Sequence, residues 1–185
     1  MPGQRADARR NYAHILAVAV QEVALHGADA SLEQIARIAE VGSATVRRHF
    51  PTRRALLDAV FQERIEELGA CARRLTSVAD SRAALVEWLE ALTAYAASAR
   101  GMAAALALDE VGEEQVHACS AKLVDSVDPL LERAVRDGVV AAGVTTADLI
   151  ALVTGIALAT EHQADPVGQA NRLLALAVAG ISPLR

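Results

Sequence analysis

The stretch Ser31 to Phe50, SLEQIARIAEVGSATVRRHF, constrains this chain more than any other. Leu32, Ile35, Ala36 and Ala39 recur at i, i+3, i+4 and i+7, which places one apolar stripe along a short amphipathic helix. Ser31 stands at the N-cap position, and Gln34, three residues on, completes the pattern of a capping box. Glu40-Val41-Gly42 then interrupts the helix, with Gly42 free to take a turn or cap conformation. A second short helix follows over Ser43 to Phe50, small-sided at Ser43, Ala44 and Thr45 and basic at Arg47, Arg48 and His49. Two short helices joined by a tight turn form a helix-turn-helix. Small side chains let the second helix approach base edges, while hydroxyl, guanidinium and imidazole groups supply donors to bases and phosphates. A corner of this shape also occurs as plain architecture in all-α proteins; read as a DNA-contacting motif, its set is Ser31, Ser43, Ala44, Thr45, Arg47, Arg48 and His49, with Ser43 and Ala44 nearest the bases.

The wider run IAEVGSATVRRHFPTRRALLDAV resembles the DNA-binding domain of the TetR family of bacterial regulators. That family's pattern is roughly I-A-x-x-A-G-V-S-x-G-T-L-Y-x-H-F-x-[ST]-K-E-x-L. Ile35, Ala36, Ala39, Val41, Thr45, His49, Phe50, Thr52 and Leu56 stand at matching positions, with Leu57 just beyond, and NYAHILAVAVQEVALHGADAS is similar to the family's first helix and its exit. Among the departures from the pattern, Glu40 replaces the turn glycine, Gly42 the serine, and Arg47 the aromatic. Glu40 disfavours a positive-φ turn and brings a negative charge near DNA, Gly42 gives up a side-chain cap, and Arg47 suits guanine or phosphate. The departures bear on which DNA sequence is read. Arg53 stands where the family has lysine, and a cation at that helix start, beside free backbone N–H groups, would hold a DNA phosphate.

Charge divides along the chain in the same sense. The first 60 residues carry 8 arginines and 6 acidic side chains, leaving 10 basic and 17 acidic for the remainder. A basic N-terminal module on an acidic body confines DNA contact to one end. Cys71 and Cys119 are too few for a disulfide framework and lack metal-ligand spacing, as expected of a reduced cytoplasmic protein. No secretory signal is expected, and the most apolar run, Leu149 to Thr160, is about half the length that spans a bilayer. Hydrophobic content is 53% but aromatic content only 3%, which favours packed helices over sheet. Arginine is used almost to the exclusion of lysine, Lys122 standing alone.

In chain order, Met1 to Asp7 reads as a polar arm, and a helix from Ala8 to about Leu25 buries Ile15, Leu16, Ala19, Val23 and Ala24 before Gly27 ends it. Arg9 and Arg10 offer phosphate or minor-groove contact, or a solvated face. Pro51 stops the second motif helix and Thr52 caps the next, which runs to about Leu75. A boundary near Gln62 separates a DNA-binding domain, 1–62, from a helical domain, 63–185. Further helices are expected over Arg82 to Ala99, Met102 to Leu108 and Glu113 to Arg136, with a kink or break at Pro129. Two more run from Ala147 to His162, capped by Thr145 to Asp148, and from Asp165-Pro166 to Gly180. The fold class is all-α, about nine helices: an N-terminal helix-turn-helix domain and a C-terminal bundle.

The last two helices resemble those that pair in a four-helix dimer interface in the TetR family; Ala151, Gly155, Ala157 and Ala159 permit close approach. A monomer's central helix is the competing reading. A homodimer would set two recognition helices about 34–36 Å apart on a palindromic double-stranded operator. The resemblance further implies a small-molecule effector, apolar or aromatic, in the middle helices. Trp88, Leu92, Tyr95, Met102, Leu106 and His117 are its candidate contacts, each equally at home in an ordinary core or surface. Asp109, Glu113 and His117 could share a face, yet no recognised metal-ligand cluster, phosphate loop or nucleophile motif is present, so neither cofactor, metal nor catalysis is expected. The expected function is a TetR-like repressor released from its operator by effector; the alternative is a helical ligand- or partner-binding protein with a vestigial helix-turn-helix.

Overall fold

The computed structural model describes residues 2–98 and 113–180. Helices connected by turns account for them: α1 Pro2–His26, α2 Leu32–Ile38, α3 Ser43–His49, α4 Arg53–Leu75, α5 Ser81–Ser98, α6 Glu113–Arg136, α7 Thr146–Thr160 and α8 Pro166–Gly180. The expected short helix at Met102 to Leu108 lies outside the described residues. Two compact units divide the chain, one of residues up to Glu63 and one of Arg64–Ser98 with the described residues from Glu113 onward.

In the first unit α1 starts at Pro2, not at Ala8, so the expected polar arm is helical. Proline is tolerated at a first helical position, where its missing N–H would have had no partner, and nothing in Gln4 to Arg10 breaks a helix. Gly27 at φ +59° ends α1 and leads through a short 3-10 turn, Gly27–Asp29, into α2. Four helices supply the interior. α1 buries Ile15, Leu16, Ala19 and Val23, α2 Ile35 and Ala36, α3 Val46 with Phe50 at its C-cap, and α4 Leu56, Leu57 and Val60. At about 1.5–3 kcal/mol for each large apolar side chain, this cluster fixes where α3 stands.

In the second unit α5 is the central element and packs on α6, α7 and α8. Its buried stripe holds Leu85, Trp88, Leu89 and Leu92, and the Trp88 indole N–H donates to the Leu68 carbonyl of α4 at 3.2 Å. α4 and α6 meet closely at Gly69, where a Cβ would come within 3.0 Å of Ser126 Oγ. The Arg133 guanidinium of α6 donates to the Thr76 and Ala79 carbonyls, at 2.6 and 2.7 Å, closing the exit of α4. α6 stays helical through Pro129, so the expected local break is absent; Pro129 lies on the exposed side. Thr145 and Asp148 form a reciprocal capping box at the start of α7, and Asp165 accepts the Gly168 N–H at the start of α8. Among the described residues no helix is long and apolar enough to cross a membrane.

Candidate nucleic-acid interface

Backbone groups alone close the turn between α2 and α3. Val41 N–H donates to the Ala36 carbonyl at 3.0 Å and Glu40 N–H to the Arg37 carbonyl at 3.3 Å, the two bonds of a Schellman motif. Glu40 takes the left-handed position of that motif, at φ +53°. It is the non-glycine residue with positive φ among those described, in the place where the family pattern carries glycine. Gly42 caps α3 at φ −67° without a side-chain bond, and its carbonyl accepts Thr45 N–H at 2.8 Å. At the other end of the motif Ser31 Oγ accepts the Gln34 N–H. The return bond of the expected capping box is missing, because Gln34 Oε1 accepts instead from Arg37, at 3.0 and 3.3 Å.

α3 is two-sided. Val46 and Phe50 are buried, while Ser43, Ala44, Arg47 and Arg48 are exposed together on the opposite face, with Thr45 half-buried beside them. His49 is half-buried and packs edge-on against Tyr12 of α1, ring centroids 5.7 Å apart, with Phe50 stacked on the same tyrosine at 5.2 Å. Arg47 Nη2 lies 2.6 Å from Glu33 Oε1 of α2. Arg48 has no ion pair or hydrogen bond among the described residues. Arg53 begins α4 and stands 3.4 Å from Asp29 Oδ1, a loose and exposed pair. Thr52 caps that helix, its hydroxyl accepting the Ala55 N–H at 3.0 Å.

Glu33 and Tyr12 escaped the reading of the sequence. Nothing in one-dimensional spacing marks Glu33 as the partner of a residue 14 positions on. Tyr12 lies on the exposed side of an apolar-patterned helix, where an aromatic ring has no period of its own. The Glu33 carboxylate is held below the usual glutamate range, first by its own backbone N–H and then by Arg47 and Ser31.

Among the residues expected to touch an effector, Trp88 is fully buried and Leu92 nearly so, both in the core around α5. Tyr95 is half-buried and lines a groove of about 460 Å³ with Leu68, Cys71, Ala91, Ala94 and Val167. Arg64 and Glu67, paired at 2.7 Å, line the same groove. Met102 and Leu106 lie outside the described residues, and His117 falls on α6 in the part whose side chains are not described. Among the described residues no group of three or more His, Cys, Asp or Glu side chains is placed to hold a metal ion.

Comparisons with known proteins cover both units. Residues 15–60 match the family model for bacterial regulatory proteins of the tetR family, and residues 80–183 match that for the C-terminal domain of SbtR-like transcriptional regulators. Among solved structures, a TetR transcriptional regulator from Streptomyces coelicolor is similar at 32% identity, covering 94% of this chain and 99% of that one, with a TM-score of 0.77. A TetR transcription regulatory protein from Mycobacterium vanbaalenii is similar at 30% identity, covering 97% and 99%, with a TM-score of 0.73. The regulator FadR from Bacillus subtilis, solved in complex with stearoyl-CoA, shares the fold at 18% identity and a TM-score of 0.61, covering 92% of this chain and 99% of that one. Among curated proteins none matches the sequence.

Proposed function

Starting from the fact that this chain belongs to the TetR family of transcriptional regulators, we propose that it is a repressor that binds a palindromic operator as a homodimer and leaves it when a small molecule binds. One observation carries the DNA-binding part: α3 exposes Ser43, Ala44, Arg47 and Arg48 on a single face while Val46 and Phe50 anchor its back. In this reading residues 1–62 bind DNA and 63–185 dimerise and bind effector. Ser43 and Ala44 approach base edges, Thr45, Arg47 and Arg48 supply donors, and Ser31 and Arg53 hold phosphates. His49 serves mainly by bracing α3 against Tyr12. A complete Schellman turn around Glu40 favours this reading over a vestigial helix-turn-helix.

The dimer reading rests on the outer side of the last two helices. Leu158 is 63% exposed and Leu176 60%, and Ala151, Gly155, Ala159, Ala175 and Ala179 are exposed with them. An apolar, small-sided face of this kind suits close packing against its own symmetry mate. For the effector we assign the groove at Tyr95, backed by the Trp88 and Leu92 core; the other candidate contacts, Met102, Leu106 and His117, fall outside the described side chains. Leu68, Cys71, Ala91, Ala94 and Val167 in its lining suit an apolar or aromatic molecule, with the Arg64–Glu67 pair and Ser98 as its polar part. Such a regulator works in the cytoplasm, without cofactor and without catalysis. Selection of duplexes from a random DNA pool, then titration of the winner at several salt concentrations, tests the proposal. A palindromic consensus bound tightly and with strong salt dependence is expected; a folded dimer that enriches no sequence at low salt overturns it.

A further inference from the structure

We propose that Glu33 is a specificity-determining positioning residue, which through its ion pair with Arg47 fixes the guanidinium over the exposed face of α3 for reading a base edge in place of a phosphate. The proposal rests on the DNA-binding reading above. Three observations support it. Arg47 Nη2 meets Glu33 Oε1 at 2.6 Å, joining α2 to α3 although both side chains are exposed. The carboxylate is itself anchored, since Glu33 Oε2 accepts from Ser31 Oγ at 3.3 Å and its own backbone N–H holds it below the usual glutamate range. Arg48, next along the same exposed face, has no such partner among the described residues.

The chemistry separates the two arginines. An unpaired guanidinium such as Arg48 brings a full positive charge, which any neighbouring phosphate satisfies regardless of sequence. An arginine already neutralised by a carboxylate brings little net charge to the backbone. It keeps a planar set of N–H donors, and the contact with Glu33 uses Nη2 alone. Such a fork suits the paired acceptors of guanine in the major groove, and holding it in place beforehand reduces the rotamer freedom lost on binding. Glu33 also discourages Arg47 from swinging to a phosphate, because the bare carboxylate would then face the DNA backbone.

The full-length protein and Glu33→Gln, Arg47→Ala and double variants, each profiled against a pool of duplexes and titrated with salt, test this. Both side chains are exposed, so the variants keep their fold. Glu33→Gln is expected to lose at least about fivefold preference at the base pair Arg47 reads and to bind random duplex more tightly, with a salt slope steeper by about one. Arg47→Ala should lose the same preference, and the double variant no more. An unchanged preference in Glu33→Gln, with or without tighter binding to every duplex, overturns the proposal and leaves Glu33 a simple source of repulsion. Without DNA, the Glu33 carboxylate followed by NMR should titrate at higher pH in Arg47→Ala than in wild type; identical titrations overturn the pairing in solution. A wild type that enriches no duplex overturns the DNA-binding reading itself, whereas an enriched operator with unchanged preference in Glu33→Gln overturns only this one.

Discussion

Glu40 holds a backbone conformation that costs an ordinary L-residue about 1–2 kcal/mol, because its Cβ crowds the carbonyl that follows. Glycine pays no such steric cost, although it gives up more chain entropy. Glu40→Gly is therefore expected to stabilise the N-terminal unit by about 1 kcal/mol, read as a higher urea midpoint, and Glu40→Ala to give no comparable gain. Equal gains in both variants would point to the charge and not the backbone. Arg53 belongs at this scale too. Its pairing with Asp29 is loose and exposed, so its guanidinium is available to a phosphate. Arg53→Ala should weaken binding to all duplexes alike and reduce the salt slope by about one unit; a shift in base preference would contradict that role.

At the scale of elements, caps decide where helices begin and how they respond to acid. In the box that opens α7, the Thr145 hydroxyl and then the Thr145 backbone N–H hold the Asp148 carboxyl below the usual aspartate range. A folded value lower than the unfolded one gives stability that is complete above the ordinary aspartate value and is lost as pH falls through the folded value. Asp148→Asn should be less stable than wild type near neutral pH, and the gap should narrow as urea midpoints are compared from about pH 6 down to about pH 2. A gap independent of pH would remove the carboxylate from the account. These local signals were legible in the sequence: Ser31, Thr52, Thr145 and Asp165 all cap as their positions suggest. What escaped were relations across elements. The diversion of Gln34 to Arg37, the pairing of Glu33 with Arg47 and the edge-on packing of His49 against Tyr12 arise from folded proximity, on which helical periodicity is silent. The start of α1 departs from expectation for the opposite reason: polar composition suggests an arm, although its residues are compatible with a helix.

For the whole molecule, the exposed leucines of α7 and α8 carry the assembly question. Neither Leu158 nor Leu176 supports the interior of its own chain, so Leu158→Glu with Leu176→Glu should leave the helical content intact. The double variant should sediment as a monomer and lose tight binding to a two-site palindrome while keeping weak binding to a half-site. A dimer that survives both substitutions would move the interface elsewhere. The sequence contains one tryptophan, and Trp88 is completely buried in the second unit with its indole N–H bonded to Leu68. Its emission is thus a private optical channel for the helical bundle: melting of the helix-turn-helix unit alone would pass unseen by it. Circular dichroism, which sums every helix, would register both events. Denaturation curves recorded by the two signals would coincide only if the two units unfold together.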